Sequence, residues 1–256
     1  VTGGPALACY ARDEALIFSK WCSYYAQHFD PGCVYLFDDG SLDGTPDIAR
    51  SFGFNVERVP GDGSYRLGQP AGFGWTKARC TRLLDDHACF LLADADDFLV
   101  PREGTLRGHL DAFCNGTSSF ACVRGLEAVQ DLDGEPALDP TLPWMQQRRH
   151  LVHVPKFDNP TLWKVAPRWE GSFHRLDLPR PPSNGSLACV STHHIDIGIC
   201  ERRHSTRNAW KERGFDLHYP VGEELRRFFR MKLACDPLIY RDATAHVVPD
   251  YVKTAF

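Results

Sequence analysis

The sequence predicts an α/β fold: a mainly parallel, Rossmann-like sheet flanked by helices in a single compact domain. Short apolar runs of strand length alternate with helix-period patterns over the first hundred residues. Two of those runs end in turns crowded with Asp, which is where open α/β sheets place their ligands. A chain of 256 residues with 43% hydrophobic and 24% charged residues has the composition of one sizeable globular domain.

Pro5 to Tyr10 is the first apolar run and reads as a strand. From Asp13 to Tyr25, Leu16, Ile17, Lys20, Trp21, Tyr24 and Tyr25 fall on one helical face. Cys33 to Phe37 is the second strand, stopped by Asp38-Asp39-Gly40-Ser41. Asp43-Gly44-Thr45-Pro46 then makes a turn in which Thr45 is expected to cap a helix reaching Arg50. Phe54 to Val59 is a third strand, glycine-rich Gly61 to Gly74 a loop, and Trp75 to Leu84 a helix. Cys89 to Leu92 is a continuous apolar strand ending at Ala93-Asp94-Ala95-Asp96-Asp97. Beyond Pro101 the alternation weakens, with a helix over Leu106 to Phe113, a strand over Ser119 to Glu127, a loop over Asp131 to Pro143 and a late helix over Glu223 to Leu233.

The charge balance, 29 Lys and Arg against 33 Asp and Glu for a net charge of -4, lacks the basic excess that a nucleic-acid partner requires. No apolar run approaches the roughly 20 residues that span a bilayer, and the N-terminus lacks an export signal, so a cytoplasmic protein is expected, with a peripheral place at the membrane left open. Ten cysteines are dispersed without a Cys-x-x-Cys pair, and most are expected to be buried thiols in a reducing compartment. One cluster differs: Cys189, His193, Cys200 and His204 form two Cys-x-x-x-His pairs, enough ligands for a tetrahedral zinc ion in an unfamiliar spacing.

Two acidic turns carry the chemistry. Asp38 and Asp39 follow the second strand in a Gly-containing turn, where a carboxylate can accept from a nucleobase imide or ribose hydroxyls; capping of the local backbone is the alternative. Asp94, Asp96 and Asp97 concentrate negative charge at another strand end and invite a hard divalent cation, Mn²⁺ or Mg²⁺, held through oxygen with a diphosphate completing the shell. Because removing one carboxylate from such a cluster relieves like-charge repulsion, replacing Asp96 by Ala is expected to cost little stability.

In order and separation, Ala11-Arg12-Asp13-Glu14 followed by Trp21, then Asp38-Asp39-Gly40-Ser41-Leu42-Asp43-Gly44-Thr45, Lys77-Ala78-Arg79 and Asp94-Ala95-Asp96-Asp97 resemble family 2 and family 2-like glycosyltransferases of the GT-A fold. The resemblance covers Leu7 to Pro101, and Arg12-Asp13-Glu14 and Cys80 depart from the family's usual residues. It implies that Tyr10, Asp38 and Asp39 contact the nucleotide, that Lys77 or Arg79 lies near base or phosphate, and that Asp94 and Asp96 bind metal and diphosphate. Further on, Trp169-Glu170-Gly171-Ser172-Phe173-His174 looks like a Trp-Gly-His segment of family-2-like enzymes, and Thr192-His193-His194 looks like their late His. His194 is favoured over His193 as a third metal ligand, and Arg202, Arg203, Arg207 and Lys211 follow as cations for a leaving diphosphate.

The expected activity is inverting transfer of a sugar from a nucleoside-diphosphate donor, UDP-sugar favoured, to a glycan or other hydroxyl acceptor, as in polysaccharide biosynthesis. Glu170 is the first candidate for the base and Asp196 the second. Residues 1–105 would form the nucleotide-sugar half, and residues 106–256 a divergent acceptor-side half with C-terminal helices. Two rivals remain: a non-catalytic nucleotide- or sugar-binding module, and a haloacid-dehalogenase-like phosphoryl-transfer enzyme, whose Asp-x-Asp lies nearer the start of its core.

Overall fold

The computed structural model describes residues 3–61, 65–66, 69–70, 72–153, 155, 158–167, 184–210, 218–236 and 242–254. Its first half runs β1 (Ala6–Ala11), α1 (Ala15–Tyr25), β2 (Val34–Asp38), α2 (Thr45–Ser51), β3 (Asn55–Arg58), the two-residue pair β4 (Tyr65–Arg66) and β5 (Gln69–Pro70), α3 (Phe73–Asp86), β6 (Phe90–Leu92) and β7 (Asp97–Pro101). There follow α4 (Leu106–Asn115), β8 (Phe120–Val129), β9 (His150–His153), β10 (Asn159–Trp163), β11 (Asn184–His194), α5 (Ile197–Ala209), α6 (Gly222–Leu233), β12 (Thr244–Val247) and α7 (Asp250–Lys253).

The first half has the predicted alternation. β6, β1, β2 and β3 lie side by side and parallel. β10 is antiparallel to both β6 and β8, so β8 runs with the first four strands, and β11 lies parallel to β8. Among the described residues seven of the ten strands of the large sheet therefore point the same way, with β7, β9 and β10 opposed.

β1 is buried on both faces because it sits inside the parallel set. Leu7, Cys9 and Ala11 pack with Ile17, Phe18 and Trp21 of α1, while Ala6 and Ala8 pack with Phe37 and with Cys80 and Leu83 of α3. Helices thus cover both faces, and burying each large apolar side chain contributes roughly 1.5–3 kcal/mol. A third cluster joins Val129, Val152, Cys200, Leu225 and Phe229, seating α5 and α6 on the second half of the sheet.

Three details differ from the sequence reading. The cap of α2 is not Thr45: Gly44 occupies the cap position at φ +87°, and the carboxylate of Asp43 accepts from both the N–H and the hydroxyl of Thr45. The run after Asp96 is a separate strand, β7, antiparallel to β11, with Leu99↔Cys189 and Asp97↔Ser191 in register. Two tyrosines of α1 serve its backbone: the hydroxyls of Tyr24 and Tyr25 donate to the carbonyls of Leu99 and Asp97, and Tyr25 accepts from the Leu99 N–H. Finally, eight cysteines are free thiols, but Cys89 and Cys114 are joined in a disulfide where the start of β6 meets the end of α4 with Cα atoms 5.6 Å apart.

Candidate active site

The carboxyl ends of β6, β1 and β2 form one edge. Main-chain bonds lock the turns that leave them: the Asp39 N–H donates to the Ala11 carbonyl, and the Ala93 N–H to the Ala8 carbonyl. Asp39 and Asp94 therefore follow the two strands that flank β1, whose axes are about 10 Å apart, two strand spacings.

The turn after β1 is the hub. Asp13 adopts φ +53°, a left-handed conformation that Asp tolerates better than most residues and that costs on the order of 1 kcal/mol. Hydrogen bonds hold it there: its N–H donates to Ser41 Oγ, and its carboxylate accepts from the Leu42 N–H at 2.6 Å and from Trp210 Nε1 at 2.9 Å. With Asp13 so fixed, Arg12 reaches Asp39, Nη1 to Oδ2 at 3.6 Å, with its guanidinium 4.9 Å from the centre of the Trp210 ring. Glu14 turns the other way and accepts from Arg203 Nε at 2.9 Å and Arg207 Nη2 at 2.7 Å.

Asp38 and Asp39, adjacent in sequence, do different work. Asp38 accepts from the Ser41 N–H and from Arg58, so it shapes its own turn. Asp39 faces Arg12 and the phenol of Tyr10, whose pKa is pushed up by burial and by the Asp39 charge. Tyr10 packs against Phe73, ring centres 5.5 Å apart, and Lys77 Nζ lies 5.2 Å from the Phe73 ring centre. Burial lowers the Lys77 pKa. Arg79 is spent elsewhere: its guanidinium makes a forked pair with Glu57 of β3, both close contacts at 2.8 Å, and anchors α3 to the sheet.

Asp96 is buried, and its Oδ2 accepts from Arg203 Nη2 at 2.8 Å and from His193 Nδ1 at 2.9 Å. Burial works to raise its pKa, but the Arg203 and His193 contacts outweigh burial and hold it well below the usual carboxylate range. The expectation of crowded, repelling aspartates does not describe this residue, which has cationic and hydrogen-bonding partners. Replacing Asp96 by Ala should therefore destabilise the protein by about 2–3 kcal/mol in urea denaturation, because His193 loses its acceptor and Arg203 loses one of its two carboxylate partners among the described residues. A neutral or stabilising result would restore the crowding argument.

The imidazole beside Asp96 belongs to His193, not His194. At the end of β11 the two rings lie side by side, centres 4.6 Å apart, but take different partners: His194 Nδ1 contacts the Glu127 carboxylate and Lys232 Nζ, in a buried triad linking β8, β11 and α6. Burial and the neighbouring lysine lower the His194 pKa, with Glu127 opposing them. Asp196 caps α5 through Oδ1, which accepts from the Ile199 N–H, while its Oδ2 accepts from the Leu138 N–H and from Arg148. Glu170 and Lys211 lie outside the described residues.

Sequence reasoning thus named the acidic edge but missed its second wall. Phe73, Glu14 and the asymmetry between Arg202, which is exposed, and Arg203, which is buried, carry much of the geometry. Arg203 and Arg207 are four residues apart on one face of α5, a spacing that could have singled them out from the basic run.

Neither a protein-family model nor a curated protein matches this sequence. Among solved structures, mannosyl-3-phosphoglycerate synthase from Rubrobacter xylanophilus aligns at 18% identity and a TM-score of 0.32, over 52% of this chain and 42% of that one. A mycobacterial protein aligns at 13% identity and 0.40, over 97% and 84%. Glucosyl-3-phosphoglycerate synthase from Mycobacterium tuberculosis, solved with Mn²⁺, uridine diphosphate and glucosyl-3-phosphoglycerate, aligns at 14% and 0.34, over 97% and 88%. These values assign no family to the chain.

Proposed function

We propose that this chain is a glycosyltransferase that takes a sugar from a nucleoside diphosphate, with UDP favoured, and delivers it to a hydroxyl acceptor. One observation carries the reading: Tyr10, Asp39 and Asp94 with Asp96 stand at the carboxyl ends of three adjacent parallel strands, on an edge that arginines of α5 approach from the other half of the chain. The two acidic turns follow strands whose axes are about 10 Å apart, a spacing that one nucleoside diphosphate could bridge. In this reading Tyr10, Phe73 and Lys77 flank the base, Asp39 accepts from base or ribose, and Asp38 and Arg79 hold the walls through Arg58 and Glu57.

The donor set suits a divalent cation. Asp94 is half-buried at the edge, and among the described residues Asp96 Oδ1 accepts no hydrogen bond, since Arg203 and His193 both use Oδ2. Asp94 and Asp96 would hold Mn²⁺ or Mg²⁺, with His193 supporting Asp96 through a hydrogen bond rather than binding the ion. When bound, the ion would offset the charge that develops on the leaving diphosphate. Arg203 and Arg207 add fixed positive charge on the same side. Asp196 is committed to capping and to Arg148, so Glu170 is the carboxylate assigned to take the acceptor's proton.

Thermal unfolding with nucleoside diphosphates and their sugars tests this. A cognate donor with Mn²⁺ at a hundred times its Kd should add about 2.7 kcal/mol, a rise of about 5–10 °C in Tm. Glu170→Gln should keep that shift and lose transfer to the acceptor. No shift with any nucleotide would remove the reading, and a shift without transfer in the unaltered protein would leave a binding module.

A further inference from the structure

Behind Asp96 the rings of His193 and His204 meet with Nε2 3.1 Å from Nε2, and Cys200 Sγ lies 3.5 Å from the same nitrogen of His204. The partners of the opposite ring nitrogens fix both tautomers. His204 Nδ1 lies 2.7 Å from the Pro220 carbonyl, which can only accept, so Nδ1 carries the hydrogen. His193 Nδ1 has its closer contact with the Asp96 carboxylate, at 2.9 Å, and carries hydrogen for the same reason. Both Nε2 atoms therefore present lone pairs to each other, an arrangement that calls for a cation between them.

We propose that His193, Cys200 and His204 bind one transition-metal ion of the zinc class, at a second site that backs onto the acidic edge through the His193–Asp96 hydrogen bond and does not depend on the donor reading. The spacing suits it. Tetrahedral bonds of about 2.0–2.1 Å to nitrogen and about 2.3 Å to sulfur separate neighbouring ligand atoms by about 3.3 Å for two nitrogens and about 3.6 Å for nitrogen and sulfur. The observed contacts are 3.1 and 3.5 Å. One ring nitrogen of His193 and Cys200 Sγ lie within 4.8 Å of each other; His194, the third member of that cluster, is held by Glu127 and Lys232. Each proposed histidine ligand gives its other N–H to a carboxylate or a backbone carbonyl, the outer-sphere pattern that orients metal-bound imidazoles. Two nitrogens and a thiolate favour zinc-class ions over Mg²⁺ or Ca²⁺, and water would fill a fourth position.

Cys189, the fourth member of the sequence-level cluster, is excluded by its direction. Its thiol is buried toward Asp97 and Tyr24, on the side of β11 that packs against β7 and α1. Cys200 and His204 are one turn apart on α5, and His193 ends β11, so the ion would pin the helix to the strand and fix Arg203 between Glu14 and Asp96.

The test uses the full chain without nucleotide. Mass-spectrometric metal analysis of the purified protein should find about one zinc per chain, and the chelated protein titrated with Co²⁺ should give tetrahedral d–d bands with a thiolate-to-cobalt charge-transfer band. Cys200→Ser should abolish the charge-transfer band and His204→Ala should abolish tight binding, while Cys189→Ser and Cys235→Ser keep both. A metal-free protein whose Co²⁺ spectrum shows no thiolate band overturns the proposal, as does a band that survives Cys200→Ser. If either ligand variant fails to fold, the cobalt spectrum of the unaltered chain decides.

Discussion

Arg203→Met should lower the stability of the protein by about 3–5 kcal/mol, the largest effect expected of any single replacement in the site. The guanidinium is buried and bridges two buried carboxylates, Glu14 through Nε and Nη2 and Asp96 through Nη2. Methionine fills most of the space, so the loss is chiefly electrostatic. Glu14 keeps Arg207, whereas Asp96 is left with a neutral imidazole and no cation at hydrogen-bond distance among the described residues. If unpaired charge is the cause, adding Asp96→Asn to Arg203→Met should recover much of the loss, because the double variant buries an amide instead of an anion. Urea denaturation of the two variants measures this. A loss below about 1 kcal/mol in the single variant, or no recovery in the double, would show that the bridge contributes little.

Acid should unfold the protein through Glu127. Burial alone would raise its pKa, but Lys232 and His194 overcome burial and bring it down to about 2, against 4.5 for the free side chain. The unfolded chain therefore takes up a proton that the folded chain refuses, and stability falls as pH falls. The contribution is fully present above about pH 4.5, is lost between there and about pH 2, and amounts to about 3 kcal/mol. Glu127→Gln should flatten the stability profile in that window and cost stability at neutral pH, where Lys232 would be left buried without its carboxylate. A profile from pH 5 to 2 with the same slope in both proteins would remove Glu127 as the acid-sensitive group.

The parts of this fold legible in the sequence are those set by local pattern. β1, β2, β3 and β6 are short apolar runs between polar turns, and each appears where its run predicts. Asp39 and Asp94 were readable because a strand end, a Gly- or Ala-spaced turn and a carboxylate coincide within a few residues. The rest depends on contacts that periodicity does not encode. Which of His193 and His194 meets Asp96 is decided by tertiary partners, His204 and Arg203 of α5 beside His193 and Lys232 of α6 beside His194. β7 was hidden because Phe98 to Pro101 continues the acidic turn without a break and finds its partner in β11. Cys89 and Cys114 pair because β6 and α4 cross, not because of any spacing between them.

The pairing of β7 with β11 also sets an order of events during synthesis. Asp96 and Arg203 are 107 positions apart, and at about 5–20 residues per second the arginine emerges about 5–20 s after the aspartate. Throughout that interval the parallel half can assemble from local contacts, but β7 has no neighbour to its strand edge, and Glu14 and Asp96 have no buried cation to meet. The acidic edge is therefore completed last, when β11 and α5 arrive together. A released chain truncated after residue 105 should present those carboxylates to water, and a chaperone that shields the exposed edge of β7 would act once that strand has left the ribosome and before β11 follows.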